Sequence, residues 1–166
     1  MALLGAVACG DDANDIEDIR RADEAAATTA PTGPQLAGTL QVMATDPLTE
    51  PFDEIAAAFE QVHPQVTVEV DYGGSGLRDL VLADVPADVF ATGDPADIEA
   101  LTDGGALAGD PAAFAVDDRS NDYSVSVLSA TADVELAEAF VVFVLSGRSQ
   151  GILESHGFTA PAGGGG

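Results

Sequence analysis

The chain has 166 residues, 29 of them acidic and 5 basic, for a formal net charge of −24, with 46% hydrophobic residues. That length holds about one domain, and the apolar share is enough for a core. The five basic residues are all arginine (Arg20, Arg21, Arg78, Arg119, Arg148). So negative a field repels phosphate backbones and excludes nucleic acid as a partner. It also slows the approach of any small anion, so an anion site here must work through local dipoles.

Cys9 is the one cysteine, so no intrachain disulfide forms. Ahead of it runs "MALLGAVA", too short to span a bilayer. Residues 1–9 resemble the end of a bacterial lipoprotein signal, in which Cys9 is lipidated. Ala6 stands where that pattern usually has Leu, and no basic segment precedes the run, so an incidental cysteine is the alternative. Residues 10–35, acidic and then rich in Ala, Thr and Pro, read as a linker. The acidic "CGDDANDIED" lacks the spacing and the glycine of a calcium loop, and no metal site is expected.

The globular pattern starts with "GTLQVMA", a short strand marked by Leu40 and Val42. Phe52, Ile55, Ala56, Phe59 and Val62 then recur on one helical face. Thr49 is the expected N-cap, Pro51 and acidic residues fill the first turn, and Pro64 stops the helix beside His63. "VTVEV", Val66 to Val70, alternates as a strand. The loop Gly73-Gly74-Ser75-Gly76 opens a helix through Leu77, Leu80, Val81 and Leu82. Asp84 to Asp88 turn the chain into an apolar strand, Val89-Phe90-Ala91. Asp94 caps the next helix, with Pro95 at its first position and Gly104-Gly105 at its end. After Phe114 the pattern falters, and "VDDRSND" reads as a polar joint at about 115–122. "YSVSVLS" is a strand, "VELAEAFVVFVLS" an apolar helix, and "RSQGILESHGF" a last helix ended by Gly157, before a glycine tail at 162–166. Alternating strands and helices predict an α/β fold, a three-layer α/β/α sandwich with a mostly parallel sheet, over 36–161.

Two long stretches, "LTEPFDEIAAAFEQVHPQVTVEVDYGGSGLRDLVLADVPADVFATGDPADIEAL" and "LAEAFVVFVLSGRSQGILESHGFT", resemble the molybdate-binding proteins of ABC transporters, receptors of the type II solute-binding fold. The resemblance covers most of Gly38 to Pro161. It implies an envelope protein, periplasmic or on the outer face of the cytoplasmic membrane, with an ABC permease as partner; the high net charge opposes self-association, so a monomer is expected. It implies no cofactor, and as ligand a molybdate or tungstate oxyanion held by hydroxyls and backbone N–H groups without an arginine. Family members have two lobes. Here the approach to the crossover ("DPAAFAVD") and the strand after the return ("NDYSVSVLS") are separated by little more than "DRS", so a single lobe is expected.

Carried over residue by residue, Ser75 is the hydroxyl donor, and Gly74 and Gly76 let backbone amides approach the ligand. A helix start independently favours an anion there. The other loop departs from the family's Ala-Ala-Ser-Leu. Here it reads "MATDPLT", which sets Pro47, with no N–H to donate, where the family has serine. Thr45 is the nearby substitute, and Asp46 repels an oxyanion. The glycine loop is one residue shorter than usual, and the family's tyrosine ligand belongs to the absent lobe. Tyr123 matches a different family tyrosine, expected to be structural. A degenerate lobe without ligand is therefore the alternative reading. No enzyme is expected: Ser75 with His63 or His156 lacks the G-x-S-x-G elbow of a hydrolase.

Overall fold

The computed structural model describes residues 36–74 and 76–162. Cys9, the leader 1–9, the linker 10–35, Ser75 and the tail from 163 onward lie outside those residues.

Strand β1 (Ala37–Thr45) leads through a 3-10 turn, Asp46–Leu48, into helix α1 (Thr49–Val62). Strand β2 (Gln65–Gly73) follows, then α2 (Gly76–Leu82), β3 (Val89–Thr92) and α3 (Pro95–Asp103). The chain ends with β4 (Ala112–Val116), β5 (Asp122–Val127), α4 (Val134–Val144) and α5 (Gly147–Ser155). One five-stranded sheet has the order β2-β1-β3-β5-β4. Period-2 alternation divides its side chains between two faces. Leu40, Val42 and Ala44 meet Phe52, Ile55 and Phe59 of α1, Phe140 of α4 and Leu153 of α5 on one side. Met43 and Phe90 meet Leu77, Val81 and Leu101 of α2 and α3 on the other. The sandwich thus has three layers.

The sheet is mixed. β1 pairs in parallel with β2 and β3, whereas β5 runs antiparallel to both β3 and β4. The physical reason lies in the joint. Strand β5 enters the sheet at the end where the parallel strands leave it, with Ser124 opposite Thr92, so it must run the other way.

The larger core holds most of the aromatic side chains, Phe90 alone of the buried phenylalanines lying in the smaller one. Phe52, Phe59, Phe114 and Phe140 are fully buried. The ring centroids of Phe52 and Phe114 lie 5.6 Å apart, and those of Phe59 and Phe140 lie 5.2 Å apart, edge to face. Burying each such side chain contributes about 1.5–3 kcal/mol before entropy is counted. Helix α4, the most apolar, is a core helix through Leu136, Ala137, Phe140 and Val144. Among the described residues no single helix is long and apolar enough to cross a membrane.

Two local expectations change. Thr49 is the first residue of α1 rather than its cap; Leu48 holds the N-cap position. The Thr49 hydroxyl donates to the Asp46 carbonyl at 2.8 Å, so it tightens the preceding turn instead of accepting from the helix. The joint, expected as an irregular segment over 115–122, is a hairpin whose turn is only Asp117–Asn121. Ala115 and Val116 belong to β4, and Asp122 to β5.

Asp117 organises that turn. Its carboxylate accepts from the backbone N–H groups of Arg119 and Asn121, at 2.9 and 2.8 Å, and from the Asn121 side-chain amide at 2.8 Å. Ser120 takes the left-handed conformation, with φ of 64°. Outside the hairpin, Val116 and Thr159 exchange two backbone hydrogen bonds of 2.8 Å. The chain therefore closes this end of the sheet upon itself.

The Asn121 amide, then the N–H groups of Asn121 and Arg119, hold the Asp117 carboxyl below the usual carboxylate range. A depressed folded-state pKa contributes stability that is present above the ordinary value of about 3.9 and is lost as pH falls through the folded value. The turn should therefore be intact at neutral pH and open only on acidification below about pH 4. NMR signals of the Asn121 side-chain amide should move only in that acid range, and Asp117→Ala should abolish the transition. Movement nearer neutrality would contradict this account of the turn.

Candidate functional site

The candidate loops leave the sheet at the carboxyl ends of its parallel strands, the edge where open α/β sheets bind ligands. β1 and β2 end side by side, with Thr45 opposite Gly73. Thr45, Gly74 and Gly76 are thereby brought to one edge; Ser75, between the two glycines, lies outside the described residues. The Leu77 N–H donates to the Gly74 carbonyl at 3.1 Å and closes the loop onto α2.

A Cβ built on Gly74 or Gly76 would meet nothing within 4 Å. Internal packing thus does not demand glycine at either position, and the space beside this backbone is open to an approaching group. The Thr45 hydroxyl oxygen is buried and finds no hydrogen-bond partner among the described residues. A buried hydroxyl without a partner costs about 1–3 kcal/mol. Asp46 and Pro47 are exposed in the turn that follows.

Next to this edge, between the ends of β1 and β3, lies a pocket of about 190 Å3 lined by Thr45, Pro47, Thr92, Asp94, Asp97 and Tyr123. Its polar groups are largely engaged with one another. The Asp94 side chain caps α3 by accepting from the Ala96 N–H at 2.9 Å. The Thr92 hydroxyl donates to Asp97 at 3.0 Å and accepts from the Asp94 N–H at 3.0 Å. Asp97 is 1% exposed, and Arg78, from the first turns of α2, reaches it at 3.2 Å. Arg78 also contacts its neighbour Asp79 at 3.3 Å. The arginine nearest the glycine loop is therefore committed to carboxylates. A like charge about 4 Å from Asp94 would cost about 4 kcal/mol at the effective dielectric of a protein surface, so this pocket is the wrong half of the edge for an oxyanion.

Tyr123 is structural. It is 4% exposed, and its ring lies edge to face with Phe158 at 5.3 Å. A Cβ on Gly93 would come within 2.7 Å of that ring, so only glycine fits where the β3–α3 loop passes under it. Burial first, then the negative charge of Asp117, raises the Tyr123 phenol above its ordinary range. Neither histidine approaches a catalytic arrangement. His63 caps the carboxyl end of α1 and packs on Phe59 at 4.6 Å. His156 lies against Glu54 at 3.3 Å and Glu50 at 3.7 Å. Among the described residues no group of three metal-ligating side chains is poised to hold an ion.

Sequence reasoning missed the cluster of Arg78, Thr92 and Asp97. Its one legible signal is "TGDPAD", a threonine ahead of an Asp-Pro cap; the arginine comes from 19 residues away on another helix.

The described residues form a mixed five-stranded sheet with helices on both faces and its open loops at the carboxyl edge of β1 and β2. Residues 40–118 match the family of bacterial extracellular solute-binding proteins, a match that stops inside the hairpin turn. The molybdate-binding protein ModA of Mycobacterium bovis is 32% identical over 117 residues, which cover 69% of this chain and 40% of that protein. The chain thus spans about two fifths of the length of the curated relatives it matches. Among solved structures, the substrate-binding domain of a candidate molybdenum ABC transporter from Clostridium difficile aligns with TM-score 0.70 and 15% identity, over 75% of this chain and 99% of that one. The periplasmic molybdate-binding protein of Azotobacter vinelandii aligns with TM-score 0.67 and 12% identity, over 74% of this chain and 100% of that one. At such identities the likeness is one of fold. Residues 40–118 are thus similar to bacterial extracellular solute-binding proteins, and 117 residues of the chain are similar to part of ModA. Its relatives are solute-binding proteins rather than enzymes.

Proposed function

We propose that this chain is the first lobe of an extracytoplasmic solute-binding protein for molybdate or tungstate, working with an ABC permease in the cell envelope, with Cys9 as its lipid anchor. The observation that carries this reading is the pairing of Thr45 with Gly73. It brings Thr45, whose buried hydroxyl has no partner among the described residues and also lines the neighbouring pocket, next to the strand end that leads into the glycine loop. Ser75 would add a second hydroxyl, and the amides of Gly74 and Gly76 would face the ligand. Among the described residues the arginine nearest this edge, Arg78, is held by Asp79 and Asp97, in keeping with the resemblance. Four-oxygen dianions suit such a set, because several neutral donors can share a charge dispersed over four oxygens.

A lobe that has lost its ligand is the second reading, favoured by Pro47, which has no N–H to donate, and by the acidic groups Asp46 and Asp94. The balance of magnitudes is close. A half-site open to water is expected to bind in the millimolar range, about −4 kcal/mol, whereas enclosure by a second surface would tighten it.

Isothermal titration of molybdate into the full chain, with sulfate as control, separates the two readings. The proposal expects a saturable molybdate signal that sulfate does not reproduce. A flat titration of folded protein would overturn it and leave the ligandless lobe.

A further inference from the structure

We propose that Tyr72 and Asp53 form a clasp that sets the spacing of the two candidate anion loops, which makes Tyr72 a positioning residue for the site. The proposal rests on the oxyanion reading above. Sheet pairing between β1 and β2 ends at Thr45 and Gly73. Beyond that pair the two chains diverge, one into α1 over one face of the sheet and the other into α2 over the opposite face. Backbone pairing no longer fixes their separation there, which leaves it to packing and to side-chain bonds.

Two side-chain hydrogen bonds tie α1 to β2 among the described residues. At the far end, Glu60 accepts from the Val68 N–H at 2.8 Å. At the binding edge, the Tyr72 hydroxyl donates to Asp53 at 2.7 Å. Tyr72 immediately precedes the glycine loop, and Asp53 lies in the first turns of α1, just after Asp46–Leu48. One short bond therefore spans the two loops at their roots. The Tyr72 ring is half-buried against the larger core, which anchors its hydroxyl. Burial, then the bond to Asp53 and its charge, push the phenol far above its ordinary range. The phenol is therefore protonated and donates at neutral pH.

The test is amide hydrogen exchange on the full chain without ligand, read at Leu77, whose N–H closes the glycine loop. Tyr72→Phe keeps the ring and removes the hydroxyl. It should speed Leu77 exchange about fivefold, the loss of one partly exposed hydrogen bond to a charged group. The amides of Val42 and Phe90 in the sheet should be unchanged. Asp53→Asn keeps an acceptor for the phenol and should stay near the wild-type rate. Unchanged Leu77 exchange in Tyr72→Phe would overturn the clasp, and so would an equal loss in Asp53→Asn, which would make the effect one of charge. A parallel molybdate titration keeps the two proposals apart: if Leu77 responds as stated while the wild-type chain binds no molybdate, the oxyanion reading fails and the clasp stands.

Discussion

Phe52→Ala should cost about 3–5 kcal/mol, the usual range for deleting a buried aromatic ring from a core that cannot fully collapse. Phe52 is fully buried and joins three elements. Its ring meets Phe114 of β4 at 5.6 Å and Phe140 of α4 at 6.4 Å, while its backbone belongs to α1. A domain of this size has a net stability of about 5–15 kcal/mol, so the substitution removes a large part of it. Urea unfolding followed by circular dichroism should show a lower midpoint with little change in slope. A loss under about 1.5 kcal/mol would mean that Phe52 is not packed as described. The consequence reaches the site, because α1 carries both the loop after β1 and Asp53.

Arg78→Met should be nearly as severe, at about 3 kcal/mol, because it strands a buried carboxylate. Breaking one partner of a buried pair leaves an uncompensated charge, which costs far more than the pair itself contributes. Asp97 would keep only the Thr92 hydroxyl, a neutral donor. Asp97→Asn introduced on top of Arg78→Met removes that charge and should recover most of the loss. The double-mutant cycle is the measurement, and a coupling above about 1.5 kcal/mol is the expected result. Additivity within about 0.5 kcal/mol would show the two side chains to be independent. Arg78 is 27% exposed, so part of its charge is solvated and the figure belongs at the low end of the range.

The elements that sequence reasoning recovered have strong local signals. The 3.6-residue recurrence of Phe52, Ile55 and Phe59 gave α1, and Asp94-Pro95 gave the start of α3, where the carboxylate does cap the helix. The misses have local causes. Ala112–Val116 is short, rich in alanine and bulged between Ala113 and Ala115, so no alternation marks it as a strand. Thr49 looks like a cap from its residue type alone, but the turn through Pro47 moves the helix boundary one residue ahead of it.

For the site, parallel pairing of β1 and β2 follows from the strand-helix-strand order, so the meeting of Thr45 with the glycine loop was within reach. The bonds that stiffen it were not. Tyr72 and Asp53 are 19 residues apart, as are Arg78 and Asp97. Each pair is decided by how helices lie on the sheet, a three-dimensional fact that no local pattern carries. The hairpin was legible only as a shortage of chain. That Asp117 turns the shortage into an ordered closure depends on three hydrogen bonds to its carboxylate.

The central claim is that any anion sits at the edge shared by β1 and β2, and that the neighbouring carboxylate-lined pocket stays without it. Backbone amide NMR of the full chain under molybdate titration tests this most directly. The account predicts saturable shifts at Thr45, Gly73, Gly74, Gly76 and Leu77, with the amides of Asp94, Ala96 and Asp97 at rest. Shifts centred on residues 93–97, or no shifts at all in a folded chain, would contradict it.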